Sequence, residues 1–183
     1  LPVDLTDIPE PRVGFIGAIS TYKLDVALVA AIARAHPSLN FVFIGPQGEG
    51  EMTTDLSLWK DRSNIHLLGP RPYQELPRYC AGFQCGWLPL QRNTYTQAMF
   101  PMKFFEYLAA GLPVVATSID ALQEFQSAAW LCEPEQKAFS KALLGSIQGE
   151  GPARSVRLAL ACQHTYTARM ERMMQTLRDG GFL

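Results

Sequence analysis

Apolar and polar positions along this chain follow two periods that take turns. Short apolar runs at residues 13–19, 40–44, 64–68, 84–88, 114–117 and 128–131 have the length and the β-branched and aromatic content of buried strands. Between them apolar positions recur every three or four residues. Residues 22–36 carry Leu24, Leu28, Ala31, Ile32 and Ala35 on one helical face, and Pro37 prevents continuation. Residues 73–81 and 135–147 predict further helices, and 54–61 and 121–125 shorter helical turns. A polar, Gly-rich stretch at 45–51 and residues 89–100 are predicted loops. Strands alternating with helices build βαβ units. The fold class is therefore α/β, a Rossmann-like, doubly wound parallel sheet of about six strands flanked by helices. Such a sheet binds ligands beyond the carboxyl ends of its strands, near the point where strand order reverses. That places a candidate site on the loops after Ile19, Leu68 and Leu88.

The two ends of the chain differ from its middle. Residues 1–12 hold Pro2, Pro9 and Pro11 without periodicity and predict an extended linker. After Gly149-Glu150-Gly151-Pro152 a long last helix is predicted, in which Ala159, Cys162, Tyr166, Met170, Met173 and Leu177 form one buried stripe, with a kink at 164–167. The expected division is a linker at 1–12, a Rossmann-like domain at 13–150 and a helical segment at 151–183 packed on it.

The segment from Pro101 to Thr117 carries the most chemistry. It predicts a helix that has Pro101 as its first residue and closes on Gly111, with Pro113 blocking resumption before the next strand. Lys103 and Glu106 fall one turn apart on the same face. A polar pair beside the free N–H groups of a helix start suits a phosphorylated ligand. Lys103 opposes the helix macrodipole there. An anionic diphosphate lodged between it and the free N–H groups accounts for its position; a lysine reaching out to solvent is the alternative. On the residues alone, Glu106 is equally a solvent-facing glutamate. Gly17, at the end of the first apolar run, lets backbone approach a phosphate closely. Gly14-x-x-Gly17 lacks the G-x-G-x-x-G pattern, and no acidic residue follows at the spacing a dinucleotide requires, which argues against NAD.

The pattern Pro101-x-Lys103-x-x-Glu106-Tyr107-Leu108-Ala109-Ala110-Gly111-x-Pro113-Val114-Val115-Ala116 resembles the donor-site segment of the GT-B glycosyltransferases of group 1 (GT4-like). The resemblance extends over residues 12–125 and more weakly to the end, taking in 13–19, 41–46 and 64–69. It implies one half of a GT-B fold: the carboxyl-terminal, nucleotide-sugar-binding domain of an enzyme that moves a sugar to an acceptor hydroxyl in polysaccharide or glycoconjugate synthesis. The acceptor site would belong to a missing amino-terminal domain, and this chain alone would bind nucleotide without transferring sugar. The resemblance further implies that Glu106 binds the ribose hydroxyls, and from the helix start Lys103 and the amides near Met102 are expected to stabilise the leaving diphosphate. Lys23 roughly matches a basic phosphate-binding residue of relatives, with a solvated lysine as the alternative. Arg71, with Pro72 and Tyr73, falls where the nucleobase pocket forms and contributes backbone hydrogen bonds. The expected donor-binding set is thus Gly17, Lys23, Arg71, Met102, Lys103 and Glu106, with no catalytic residue assigned. Many relatives carry a second glutamate eight positions before Glu106, where this chain has Ala98. Donor-sugar identity and stereochemical outcome therefore stay open, and the loop with Arg92, Asn93, Thr94, Tyr95 and Thr96 is a substitute source of sugar contacts. Asp-x-Asp is lacking, so neither a metal nor a cofactor is expected. Two alternatives remain: half of a GT-B nucleotide-sugar epimerase, and a nucleotide-sugar-binding module without activity.

Bulk properties narrow the class without changing it. The 183 residues, 48% apolar and 18% charged, suit one full-sized core. A net charge of −1 argues against a nucleic-acid surface. The last segment has five arginines against Glu171 and Asp179, a surplus of +3, which reads as a solvated helix face or a basic edge facing a membrane. Cys80, Cys85, Cys132 and Cys162 show no metal spacing and are expected to be free thiols in a reducing compartment. The three histidines and three tryptophans have no partners at readable spacing and are expected to be structural. No apolar run reaches the ~18 residues of a spanning helix, and no signal peptide is visible. Starting at Leu1, the chain is expected to be processed or cut from something longer, cytoplasmic, with peripheral contact at the inner face of the membrane.

Overall fold

Burial decides the architecture. In the computed structural model, which describes residues 1–48 and 54–181, the strands are β1 (Arg12–Ile16), β2 (Asn40–Ile44), β3 (Ile65–Gly69), β4 (Cys85–Leu88), β5 (Val114–Thr117) and β6 (Trp130–Cys132). They form one parallel sheet in the order β3-β2-β1-β4-β5-β6. The inner strands are closed to water along almost their whole length, as a sheet covered on both faces requires. The helices are α1 (Val3–Thr6), α2 (Val26–Ala35), α3 (Leu76–Cys80), α4 (Thr94–Ala98), α5 (Met102–Ala109), α6 (Gln136–Ile147), α7 (Arg154–Gln163) and α8 (Tyr166–Asp179). α2 begins later than its periodicity predicts, because the Asp25 carboxylate accepts the Leu28 N–H at 2.8 Å and fixes the start there.

Strand order reverses between β1 and β4, and these two share only the pairs Val13↔Cys85 and Gly14↔Gly86 before diverging. Tyr107 of α5 fills the gap. Its ring lies over Gly86, where an added Cβ would come within 2.7 Å of it. Its hydroxyl accepts the Ile16 N–H at 2.6 Å, so a strand donor freed by the divergence is satisfied by a side chain. Full burial raises the Tyr107 pKa well above the ordinary phenol value and keeps the hydroxyl protonated. α5 is thereby pinned to the crevice at the switch point.

Several local expectations need correction. Residues 1–12 are not wholly extended: they contain α1, held by buried Leu5 and Ile8. The loop at 89–100 contains α4, started by a capping box in which Asn93 accepts the Thr96 N–H and the Thr96 hydroxyl accepts the Asn93 N–H. The first strand stops at Ile16 because the chain turns at Gly17. Residues 73–81 open as a 3-10 turn, Tyr73–Glu75, before α3. Pro101 is the N-cap of α5, not its first helical residue; its backbone is extended and its carbonyl accepts the Phe104 N–H at 3.0 Å. Gly111, at φ +77°, closes α5 in the left-handed conformation the sequence predicts. Residues 49–53, on which the end of the Gly-rich loop falls, lie outside the described residues.

The last helix is two helices. His164 stacks on Phe105 with ring centroids 4.6 Å apart, and Thr165 accepts the Ala168 N–H to start α8. The expected buried stripe fails on both sides of that break. Ala159 and Cys162 are exposed in α7, where Ala161 is buried instead, and no residue of α8 is buried, with Tyr166, Met170 and Met173 exposed. The basic surplus is partly absorbed by the fold. Arg157 donates to the Gly111 carbonyl at 2.8 Å, and the Arg169 guanidinium lies 4.0 Å from the Phe100 ring centre.

Candidate functional site

The ends of β1, β2 and β3 meet α5 in a cleft with two chambers. The first, about 210 Å³, lies between Gly17-Ala18 after β1, Gly45-Pro46 after β2, Pro70-Arg71 after β3, and Lys103. Its floor is bare backbone: an added Cβ on Gly45, at φ +148°, would meet the Gly17 carbonyl oxygen at 2.0 Å. The second chamber, about 310 Å³, is bounded by Tyr73, Pro77, Cys80, Glu106 and Ala109, and Leu76 borders both chambers. An ion pair bridges them, with Lys103 Nζ 2.5 Å from Glu106 Oε2. The pair is the i,i+3 contact expected from the helix spacing, and both side chains are half-buried. The Tyr73 ring centre lies 5.4 Å from the ammonium. Pro101 gives α5 no side-chain cap, so the first-turn N–H groups of that helix have no capping side chain.

Arg71 contributes more than backbone. Its guanidinium lines the first chamber while donating to Asp4 at 2.7 Å and to the Tyr79 hydroxyl at 2.9 Å, and Tyr79 in turn donates to Asp4. The hydrogen bond to Asp4 raises the Arg71 pKa. Burial works against the Asp4 charge, yet the bonds from Arg71 and Tyr79 outweigh it and hold this carboxyl below its usual range. The triad fastens α1 to the wall of the cleft.

The structure thus brings Gly17, Arg71, Lys103 and Glu106 together. Lys23 lines neither chamber; its ammonium sits 5.2 Å from the Tyr22 ring centre and 5.9 Å from that of Tyr95. The Met102 thioether accepts from Arg169 at 3.4 Å, which leaves its amide as the group available at the helix start. Of the loop offered as a source of sugar contacts, Arg92 pairs with Glu133 at 2.6 Å, Asn93 caps α4 and donates to the Tyr22 carbonyl, and Thr96 is buried. Thr94 and Tyr95 remain exposed there, as does Ala98.

Sequence reasoning missed the parts that position the site. Tyr107 was visible in the motif, and Gly86 inside an apolar strand was the signal that another group approaches closely there. Asp4 and Tyr79 lie 67 and 8 positions from Arg71, and no local pattern marks that triad. Cys80, in the second chamber, and Cys85 are inert: burial pushes their thiols up to about 11 and about 12.

Known proteins share this fold. Residues 10–148 match the model of the family described as glycosyl transferases group 1. A Bacillus subtilis (strain 168) protein, TuaH, assigned by name as a teichuronic acid biosynthesis glycosyltransferase, is 34% identical over 113 residues, covering 62% of this chain and 28% of its own. Anabaena Alr3699/HepE, crystallised with UDP-glucose, superposes with a TM-score of 0.75 at 19% identity over 98% of this chain and 53% of its own. A trehalose-phosphate synthase (UDP-forming) of Burkholderia vietnamiensis gives 0.73 at 16% identity over 96% of this chain and 46% of its own. The chain therefore spans about half the length of these structural neighbours and 28% of the curated relative. With the family model matched from the segment before β1 to the end of α6, and with the sheet order and cleft described above, this chain belongs to the glycosyl transferases of group 1.

Proposed function

We propose that the two-chamber cleft holds the nucleoside diphosphate of a nucleotide-sugar donor, and that this chain is the donor-binding domain of an enzyme transferring that sugar to an acceptor hydroxyl. The observation that carries the reading is the placement of Lys103 and Glu106, one in each chamber, at the uncapped start of α5 beside the switch point. In this reading the diphosphate lies in the first chamber against Gly17, Lys103 and the first-turn amides. The ribose presents its vicinal diol to the Glu106 carboxylate, a matched pair of donors for two acceptor oxygens. The base rests in the larger apolar chamber against Tyr73 and Leu76. As the glycosidic bond breaks, negative charge grows on the leaving diphosphate. Lys103 and fixed amide dipoles stabilise that charge in place, without a metal or cofactor.

UDP is the first nucleotide to test, since HepE was crystallised with it. A polysaccharide setting is supported by the TuaH relative. The reading assigns the acceptor site to an amino-terminal domain, so this chain alone binds nucleotide and turns nothing over. Among the described residues no helix is long and apolar enough to cross a membrane. Peripheral placement at the cytoplasmic face is supported by Arg172 and Arg178 on α8, the helix that also exposes Met170 and Met173. The epimerase reading gains nothing from a family model and relatives that are glycosyltransferases, and Ala98 alone favours an inactive module. The test is calorimetric titration with UDP. Lys103→Ala should weaken binding about tenfold or more, the loss of a charged hydrogen bond to phosphate. Unchanged affinity removes the cleft from donor binding.

A further inference from the structure

We infer that Glu106 makes this cleft selective for nucleoside diphosphates over bare phosphate and pyrophosphate, by withholding Lys103 until a ribose diol draws the carboxylate away. The inference rests on the donor-site reading above and adds to it a discrimination that the bound state alone does not reveal.

The first chamber is lined by paired charges. Two described cations line it, Lys103 and Arg71, and each carries an acid partner: Glu106 at 2.5 Å and Asp4 at 2.7 Å. The formal charges of these two described side-chain pairs therefore cancel for an anion entering this chamber. The anion meets an ammonium and, one ion-pair distance away, a carboxylate that repels it almost as strongly. A site evolved only to capture phosphate would leave its lysine unopposed, and here the opposing residue sits on the same helix one turn on.

The second chamber supplies the release. Glu106 borders it, Arg71 and Asp4 do not. A ligand that fills this chamber with a vicinal diol offers the carboxylate two O–H donors, so Glu106 exchanges its ammonium partner for hydroxyl partners without losing hydrogen bonds. The ammonium then turns to the diphosphate in the adjoining chamber. Both exchanges are available only to a ligand carrying diol and diphosphate together. Pyrophosphate can satisfy Lys103 only by stranding Glu106 beside a second anion. Discrimination thus comes from a repulsive element as well as an attractive one.

The test compares two probes, inorganic pyrophosphate and UDP, by calorimetry on the full chain at low ionic strength without divalent metal. Glu106→Gln keeps the shape of the side chain and removes its charge. It should tighten pyrophosphate about three- to tenfold, the scale of a half-buried charge pair, and weaken UDP about tenfold. In the Lys103→Ala background the gain for pyrophosphate should shrink to the relief of direct repulsion by the carboxylate, since no ammonium is left to release. Glu106→Ala should change pyrophosphate in the same direction. If Glu106→Gln leaves pyrophosphate unchanged, weakened or undetectable while Lys103→Ala still weakens UDP, the selectivity role is overturned and the donor site stands. If Lys103→Ala leaves UDP unchanged, the donor site itself falls, and the inference with it.

Discussion

Tyr107 shows how one hydroxyl holds the site's geometry. It accepts the Ile16 N–H where β1 and β4 part, and its ring occupies the space Gly86 leaves open. Tyr107→Phe would strand a buried N–H, so urea denaturation should show a loss of about 1–3 kcal/mol with an unchanged slope. Buried thiols give a second outcome. Cys80, Cys85 and Cys132 are buried, with pKa values raised to about 11, about 12 and about 11, while Cys162 is exposed. At pH 8 the native chain should therefore react with a thiol reagent at Cys162 alone, and at all four cysteines only after unfolding. The individual residues most legible in the sequence were those with chemistry tied to local spacing, Lys103 and Glu106. Arg71 was legible by position, whereas its pairing with Asp4 was not, because Asp4 is remote in sequence and the hydrogen bond is tertiary.

Among the helices, α1 and α5 are fastened by contacts that periodicity cannot report. Asp4 fastens α1 through Arg71 and Tyr79. Because the folded-state pKa of Asp4 is depressed, its contribution is present at neutral pH and disappears as the pH falls through that lowered value. Asp4→Asn should cost less than about 1 kcal/mol at pH 7, since the pair is partly exposed, and should remove that share of the acid-induced loss of stability. The carboxyl end of α5 is fastened by Arg157, which donates to the Gly111 carbonyl. α4 escaped the sequence reading for a related reason: five residues are too few to display a period, and the Asn93 capping box was the one available sign. The α8 stripe misled in the opposite sense. A helical apolar period marks a face, and whether that face is covered depends on what packs against it: Met170 and Met173 border a groove with Phe100, Phe125 and His164 but stay exposed.

For the molecule as a whole, the parallel sheet and its switch point followed from strands alternating with helices, and strand ends moved by a few residues without altering the topology. The cleft's division into two chambers was not legible, since Leu76 of α3 borders both and the Lys103–Glu106 pair of α5 bridges them. If the cleft binds nucleotide, UDP at about 100 times its Kd should stabilise the chain by about 2.7 kcal/mol, read as a rise in Tm. The most direct measurement is a crystal structure of the chain with UDP bound. It should show the Lys103–Glu106 pair opened, the ammonium about 2.7–2.9 Å from a diphosphate oxygen, and both Glu106 oxygens accepting ribose hydroxyls. Nucleotide bound elsewhere, with that ion pair intact, would contradict it.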